Sequence, residues 1–340
     1  MFASRRTRVL LFALVFFPAL LGIMLLVLAS RRPQIIPITH HVNSPIAISP
    51  DGRYMATVSS GTVDIINVHD FGKKRVIFFR TQYPAGSLAY LPDSKSLVVG
   101  GSSMPAEMGA SGAVVVHDTR SGAIMREVTR GTTGPAMALS ADGKMAASVT
   151  AIGRISLWDV KTGARIGRLE ATFGVARSLT FSENAKLLVA GYSGSGGNAA
   201  VFDVPNRKLL WSAQAPQTSG TFDTVSASIS PDGGTVALGS QNNKIALFDG
   251  QTGQLRHIGV VPPDPKLTLP ADATRTVAFS PDSSLLASGG WHGVAVWNVA
   301  DGTLRRQMPG CGGVAFSADG KKLATGSPVG NGLITLWKSF

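Results

Sequence analysis

"VAFSPDSSLLASGGWHGVAVWNVADG", residues 277–302, is the stretch whose reading decides the fold. In "VAF", two large residues flank a small one, the two-residue period of a strand. "SPDS" is a tight turn: Pro presets φ, and Ser and Asp bond the nearby backbone. "LLASG" is a second apolar strand. A third ends in "VWNVADG", an aromatic followed by the polar and Gly residues of a turn into a fourth.

The unit recurs along the chain. The turn returns as "SPDG" at Ser49, "LPDS" at Leu91, "SADG" at Ser140 and "SENA" at Ser182. "SPDG" at Ser230, "SPDS" at Ser280 and "SADG" at Ser317 complete the series, with spacings of 42, 49, 42, 48, 50 and 37 residues. Seven landmarks at such intervals predict a repeat protein whose unit is four strands, a to d.

The strand before each landmark keeps one pattern. One position ahead stand Ile48, Tyr90, Leu139, Phe181, Ile229, Phe279 and Phe316, and three ahead Ile46, Leu88, Met137, Leu179, Ala227, Val277 and Val314. Between them lies Ala47, Ala89, Ala138, Thr180, Ser228, Ala278 or Ala315. Large residues are expected against a neighbouring sheet, and the small one where bulk does not fit. Strand c ends in "LWDVKTG" at Leu157, "LFDGQTG" at Leu247, "VWNVADG" at Val296 and "LWKS" at Leu336. Weaker copies are "VHDTRSG" at Val116, "VFDVPN" at Val201 and "VHDFG" at Val68.

With these two linked motifs, the chain resembles a divergent member of the WD-repeat (WD40-like) β-propeller family over residues 35–340. The Gly-His pair that usually opens each repeat and the Asp of the b–c turn are absent, so the family's hydrogen-bonded tetrad is not carried over. The fold expected is all-β, a seven-bladed β-propeller over residues 33–340 with one transmembrane helix ahead of it. Strands a, b and c occur seven times, yet the chain stops after "LITLWKSF", leaving blade seven without its d strand. The isolated "QIIPITHH" near the N-terminus is predicted to supply it and close the ring, with Pro37 acceptable on an outer edge.

Residues 1–32 form a separate segment. Val9–Ala29 is a 21-residue run without charge, flanked by Arg5, Arg6 and Arg8 before and Arg31 and Arg32 after. At about 1.5 Å per residue it reaches roughly 31 Å, the thickness of a bilayer core. It reads as an uncleaved signal-anchor. The alternative is a cleaved signal peptide, for which "VLA" before Ser30 has the small-residue pattern. The Arg excess before the run places the propeller on the extracytoplasmic side, periplasmic or extracellular, rather than in the cytoplasm.

Charge narrows the partners. The net +12 falls to +7 once residues 1–32, with five Arg and no acid, are set aside. Thirteen of the 20 acids sit in the a–b and c–d turns, so the basic excess falls on d strands and loops. No base-stacking pattern accompanies it, and nucleic acid is not an expected partner. The single Cys311 allows no internal disulfide, and the propeller is expected to be monomeric.

Antiparallel order puts a–b and c–d turns on one face and d–a and b–c connections on the other. The second face holds the long insertions, 100–111, 192–198, 213–225 and 261–275, which marks it as the expected binding face. It gathers Tyr83, Phe173, Tyr192, Phe222 and Trp291 with Met104 and Met108, side chains of the kind that anchor protein interfaces. The competing reading is that several fold back over the core. Arg80, Arg130, Arg177 and Arg275 lie in or beside the same loops. Arg177 and Arg275 share one repeat position, at the start of strand a, and are expected near the mouth of the central channel.

Catalytic and metal candidates are thin. His69 and His117 take the place of the repeat aromatic, a packing role. No His pair has metal-ligand spacing with Cys or carboxylate, and no Gly-rich run precedes a helix that would hold a phosphate. The expectation is therefore a membrane-anchored, non-catalytic platform for protein partners, without cofactor or metal. The alternative is an exported propeller with a small-ligand or hydrolytic site at its channel.

Overall fold

The computed structural model describes residues 33–37, 45–59, 62–68, 74–77, 85–102, 112–130, 133–150, 154–170, 173–174, 176–192, 198–214, 224–240, 243–262, 274–290, 293–309, 311–326, 333–338 and 340. Strand β1 (Gln34–Pro37) comes first. Blade 1 follows as β2 (Ile46–Ile48), β3 (Tyr54–Ser59), β4 (Thr62–Asn67) and β5 (Lys74–Ile77). Blade 2 is β6 (Ala85–Tyr90), β7 (Ser96–Ser102), β8 (Gly112–Asp118) and β9 (Ile124–Arg130). Blade 3 is β10 (Thr133–Leu139), β11 (Met145–Thr150), β12 (Ile155–Asp159) and β13 (Arg165–Leu169). Blade 4 is β14 (Ala176–Phe181), β15 (Leu187–Tyr192), β16 (Asn198–Asp203) and β17 (Lys208–Gln214). Blade 5 is β18 (Thr224–Ile229), β19 (Thr235–Ser240), β20 (Lys244–Asp249) and β21 (Leu255–Val260). Blade 6 is β22 (Thr274–Phe279), β23 (Leu285–Gly290), β24 (Gly293–Asn298) and β25 (Leu304–Met308). Blade 7 has three strands of its own, β26 (Cys311–Phe316), β27 (Leu323–Gly326) and β28 (Leu333–Trp337).

Each blade is a four-stranded antiparallel sheet, and blade 7 completes its four with β1. Gln34 pairs with Leu336, Ile35 with Thr335, Ile36 with Ile334 and Pro37 with Leu333. The predicted closure is therefore present over Gln34–Pro37, and residues 38–41 of the expected strand lie outside the described residues. Pro37 occupies the outer edge, where its missing N–H breaks no ladder bond. Residues 1–32, with the expected anchor, lie outside the described residues. Among those described, no helix is long and apolar enough to cross a membrane.

The core is seven clusters, one in each interface between neighbouring blades. Large a-strand residues face the preceding blade: Leu179 and Phe181 pack on blade 3, Val277 and Phe279 on blade 5. The small residue between them faces the following blade, as Ala138 does toward blade 4 and Ala278 toward blade 7. The c-strand aromatics Phe202, Phe248 and Trp297 fill three interfaces. The seam is packed like the rest, with Ile46, Met55 and Ile66 of blade 1 against Ala324, Ile334 and Leu336 of blade 7.

Blade 1 corrects one reading of the repeat. Ile66 pairs with Met55 as Trp158 pairs with Ala146, and the Val68 N–H donates to Arg53 O as the Val160 N–H donates to Lys144 O. Ile66, not His69, takes the aromatic's place, because the strand ends at Asn67, three residues earlier than "VHDFG" suggested. His117 does occupy that place in blade 2, opposite Leu97 and buried, which pushes its pKa down.

The turns are built as their sequences require. In blade 1 the Ser49 hydroxyl donates to Asp51 Oδ1 at 2.6 Å and accepts the Tyr54 N–H at 2.9 Å. The same clasp joins Ser140 with Asp142, Ser280 with Asp282 and Ser317 with Asp319. At the c–d turns an Asp accepts from Ser or Thr three residues on, as Asp159 does from the N–H and hydroxyl of Thr162.

Candidate functional site

Strands β2, β6, β10, β14, β18, β22 and β26 ring a central channel open at both faces. The mouth on the side of the long connections is a cavity of about 380 Å³. Among the described residues its wall is Gly, Ala, Ser, Thr, Pro, Met and aliphatic side chains, with Arg177 the one charged member. The mouth on the turn face, about 550 Å³, has Glu183 as its charged member among the described residues.

The first mouth is held by a belt of hydroxyls that the sequence reading missed. Ser87 Oγ accepts the Met137 N–H at 3.1 Å, Ser178 Oγ the Ala227 N–H at 2.7 Å, and Ser226 Oγ the Val277 N–H at 3.2 Å. Thr276 Oγ1 donates to Gly312 O at 2.7 Å. Each bond runs from one blade's a strand to the next. A β-bulge precedes each of these residues, which bends the strand and leaves backbone groups for the neighbour. Opposite each hydroxyl lies a glycine of strand b: Gly100, Gly191, Gly239 and Gly289. Their smallness permits the approach, since a Cβ on Gly289 would stand 2.3 Å from Gly312 O. The signal was available four positions before the landmark, as Ser, Ser, Ser and Thr in four of seven repeats.

A second missed feature ties strand c to strand b. The indole N–H of Trp158 donates to Ser148 Oγ at 2.9 Å, that of Trp297 to Ser288 Oγ at 2.9 Å, and that of Trp337 to Thr325 Oγ1 at 3.0 Å.

The candidate binding residues divide sharply. Arg177 is exposed at the channel mouth. Arg130 and Arg275 fall on β9 and β22, with side chains outside the described set. Arg80, Tyr83, Met104, Met108, Phe222 and Trp291 lie outside the described residues. Tyr192 is a correction: 1% exposed, it packs between blades 3 and 4 and offers a partner no surface. Phe173 lies half-buried against it, ring centroids 5.6 Å apart and edge to face. Both complete the core at the end of β15, because the aromatic closing strand b points into the interface.

Among the described residues no group of three or more His, Cys, Asp and Glu is placed to hold a metal ion. Chemically, this mouth offers hydroxyls already engaged between blades and one guanidinium. Among the described residues it presents no carboxylate or imidazole for proton transfer.

Fold and repeat chemistry together define a divergent WD40-like β-propeller. The chain belongs to the family described as outer membrane protein assembly factor BamB, whose model matches residues 110–337. It is 28% identical over 167 residues to WD repeat-containing protein SL1-17 of Schistosoma mansoni, covering 49% of this chain and 50% of that protein. It is 26% identical over 207 residues to telomerase protein component 1 of Rattus norvegicus, covering 59% of this chain and 7% of that protein. The matches thus span about half the length of the first relative and a small part of the second.

Proposed function

We propose that this chain is a membrane-anchored propeller, held on the extracytoplasmic side by Val9–Ala29, that serves as a non-catalytic platform for protein partners. Partners bind through the face of the d–a and b–c connections. The observation that carries this reading is the channel lining: among the described residues Glu183 is its one carboxylate and no imidazole joins it, where a reaction centre would need such groups to converge. The stiff ring and its hydroxyl belt give the connections a fixed base, the usual arrangement for binding loops. The role printed for the matching family, assembly factor of outer membrane proteins, fits a propeller that works among other proteins at a membrane.

Protease shaving of spheroplasts, with a C-terminal tag and a carbonate wash, tests the topology. The tag should be degraded from outside and its membrane fragment retained. A protected tag would place the propeller in the cytoplasm. Shortening the 261–275 connection should then abolish recovery of the partner by cross-linking while leaving the melting temperature unchanged. Undiminished recovery from this and equivalent changes in the other three long connections would sink the binding face.

A further inference from the structure

Nine of the eleven exposed large apolar side chains among the described residues lie at the ends of strands b or d that abut the turn face. They include Ile124, Ile166, Leu209, Leu255 and Leu304 on d strands, and Ile35 on β1. Ile258 and Val260 alone lie toward the other face. The apolar edge of the described ring is thus on the side opposite the long connections.

Charge separates the two surfaces that meet at this edge. The outer wall is basic: β5, β9, β13, β17, β21 and β25 carry ten Lys and Arg against one acid, Glu127. The flat turn face is different, since every a–b turn carries an Asp or Glu. Cations on aliphatic-lined strands suit a headgroup layer, with stems on the apolar boundary and charges among phosphates. A row of turn carboxylates does not.

The position of β1 selects the part of the wall concerned. Gln34 pairs with Leu336 near the end of β28, so β1 starts at the turn-face edge of the outer wall. Only residues 30–33 separate it from Ala29. Fully extended, four residues reach about 14 Å. If Val9–Ala29 spans a bilayer, Gln34 is held within or just above the headgroups. Blade 6 adjoins there and presents Leu304, Arg305 and Arg306, all exposed.

We propose that the propeller rests edge-on, through the wall around β1 and the start of β25, on an anionic bilayer surface, with Ile35 and Leu304 at the apolar boundary and Arg305 and Arg306 on lipid phosphates. This rests on the anchor reading above. It leaves both channel mouths open to the aqueous phase, which a flat arrangement would not.

The test uses the full chain reconstituted into vesicles of phosphatidylcholine alone or with added phosphatidylglycerol. An environment-sensitive fluorophore is placed through Leu304→Cys, or through Ile166→Cys across the ring, in a Cys311→Ser background whose melting curve is checked. Ile35→Cys is the second position should the first variant melt early. Flotation after a carbonate wash reports the anchor separately. The label at 304 should shift to the blue and resist iodide quenching in the anionic vesicles, while the label at 166 stays quenchable in both. Charge removal, Arg305→Gln with Arg306→Gln, should lower the docked-to-free ratio about 25-fold, taking about fivefold per charge.

Equal protection at 304 and 166 means a flat arrangement and overturns the proposal. So does a floating chain with neither label protected, or protection indifferent to anionic lipid. Protection that grows with the protein-to-lipid ratio would assign the wall to a second copy, and likewise overturns it. A chain that fails to float removes the anchor reading, and this one with it.

Discussion

Trp297 shows what the repeat aromatic requires of its neighbours. The ring is 2% exposed between blades 5 and 6, and its indole N–H has Ser288 Oγ, itself 2% exposed, as acceptor. Ser288→Ala should leave that donor orphaned and cost about 1–3 kcal/mol in urea unfolding. Ser148→Ala, under the half-buried Trp158, should cost less, because water can replace the hydroxyl. Equal losses would mean that the hydroxyl acts only through packing. The turn carboxylates make a second residue-scale case. Asp249 accepts from the N–H and the hydroxyl of Thr252 and pairs with Arg256, which holds its pKa at about 2. In Asp142, Asp282 and Asp319 the preceding Ser hydroxyl and backbone N–H groups push in the same direction. A lowered folded pKa means that the ionised form favours the fold. That contribution is complete above the ordinary carboxylate value, about 4, and fades as pH falls through about 2. The urea midpoint should hold steady down to about pH 5 and then decline, and Thr252→Ala should soften the decline. A midpoint flat to pH 2 would show that these clasps contribute nothing. The Ser-Asp clasps were legible in the sequence because both partners sit within one turn. The Trp acceptors were not, since Ser288 lies nine residues upstream on another strand.

At the scale of the element, legibility follows how local the determining contact is. The large-small-large rhythm of strand a named the faces, since period-two side chains must alternate between neighbouring blades. The closing strand was legible by counting, because three strands in blade 7 leave β28 with an unpaired edge. The bulges were hidden. A bulge adds one residue without changing composition, and the hydroxyls it frees, Ser87, Ser178, Ser226 and Thr276, bond to strands some 36 to 51 residues away. Blade 1 hid its register for a related reason: Ile66 carries no aromatic to mark the position, and "VHDFG" three residues on imitates the motif. Of the expected binding loops, Phe173 and Tyr192 turned inward because an aromatic at a strand end serves a core as readily as a surface. The closing strand carries this scale's prediction. Removing residues 34–37 uncovers the β28 edge and one side of Ile334 and Leu336. The shortened protein should melt lower and form concentration-dependent oligomers by edge pairing, seen in light scattering. A monomer with unchanged melting would show that β1 is dispensable for closure.

For the whole molecule, closure changes what any one interface is worth. In an open array of repeats each unit contacts only its neighbours, and damage stays local. Here the seam between blades 7 and 1 is packed as the other six interfaces are, with Leu336 fully buried in it. Leu188, equally buried, lies between blades 3 and 4 on the far side of the ring. Opening the ring anywhere leaves two sheet faces without partners, so no blade gains by letting go first. Leu336→Ala and Leu188→Ala should each cost about 3–5 kcal/mol. Both should shift one and the same cooperative transition. Amide exchange is the sharper probe of this difference. In a closed ring, either substitution should lower the protection of strands b and c in all seven blades together. Loss confined to blades 7 and 1 for the first variant, or to 3 and 4 for the second, would mean that the propeller behaves as a bent array whose ends happen to touch. The rigid base assigned to the binding connections would then be lost, because each pair of blades could open alone.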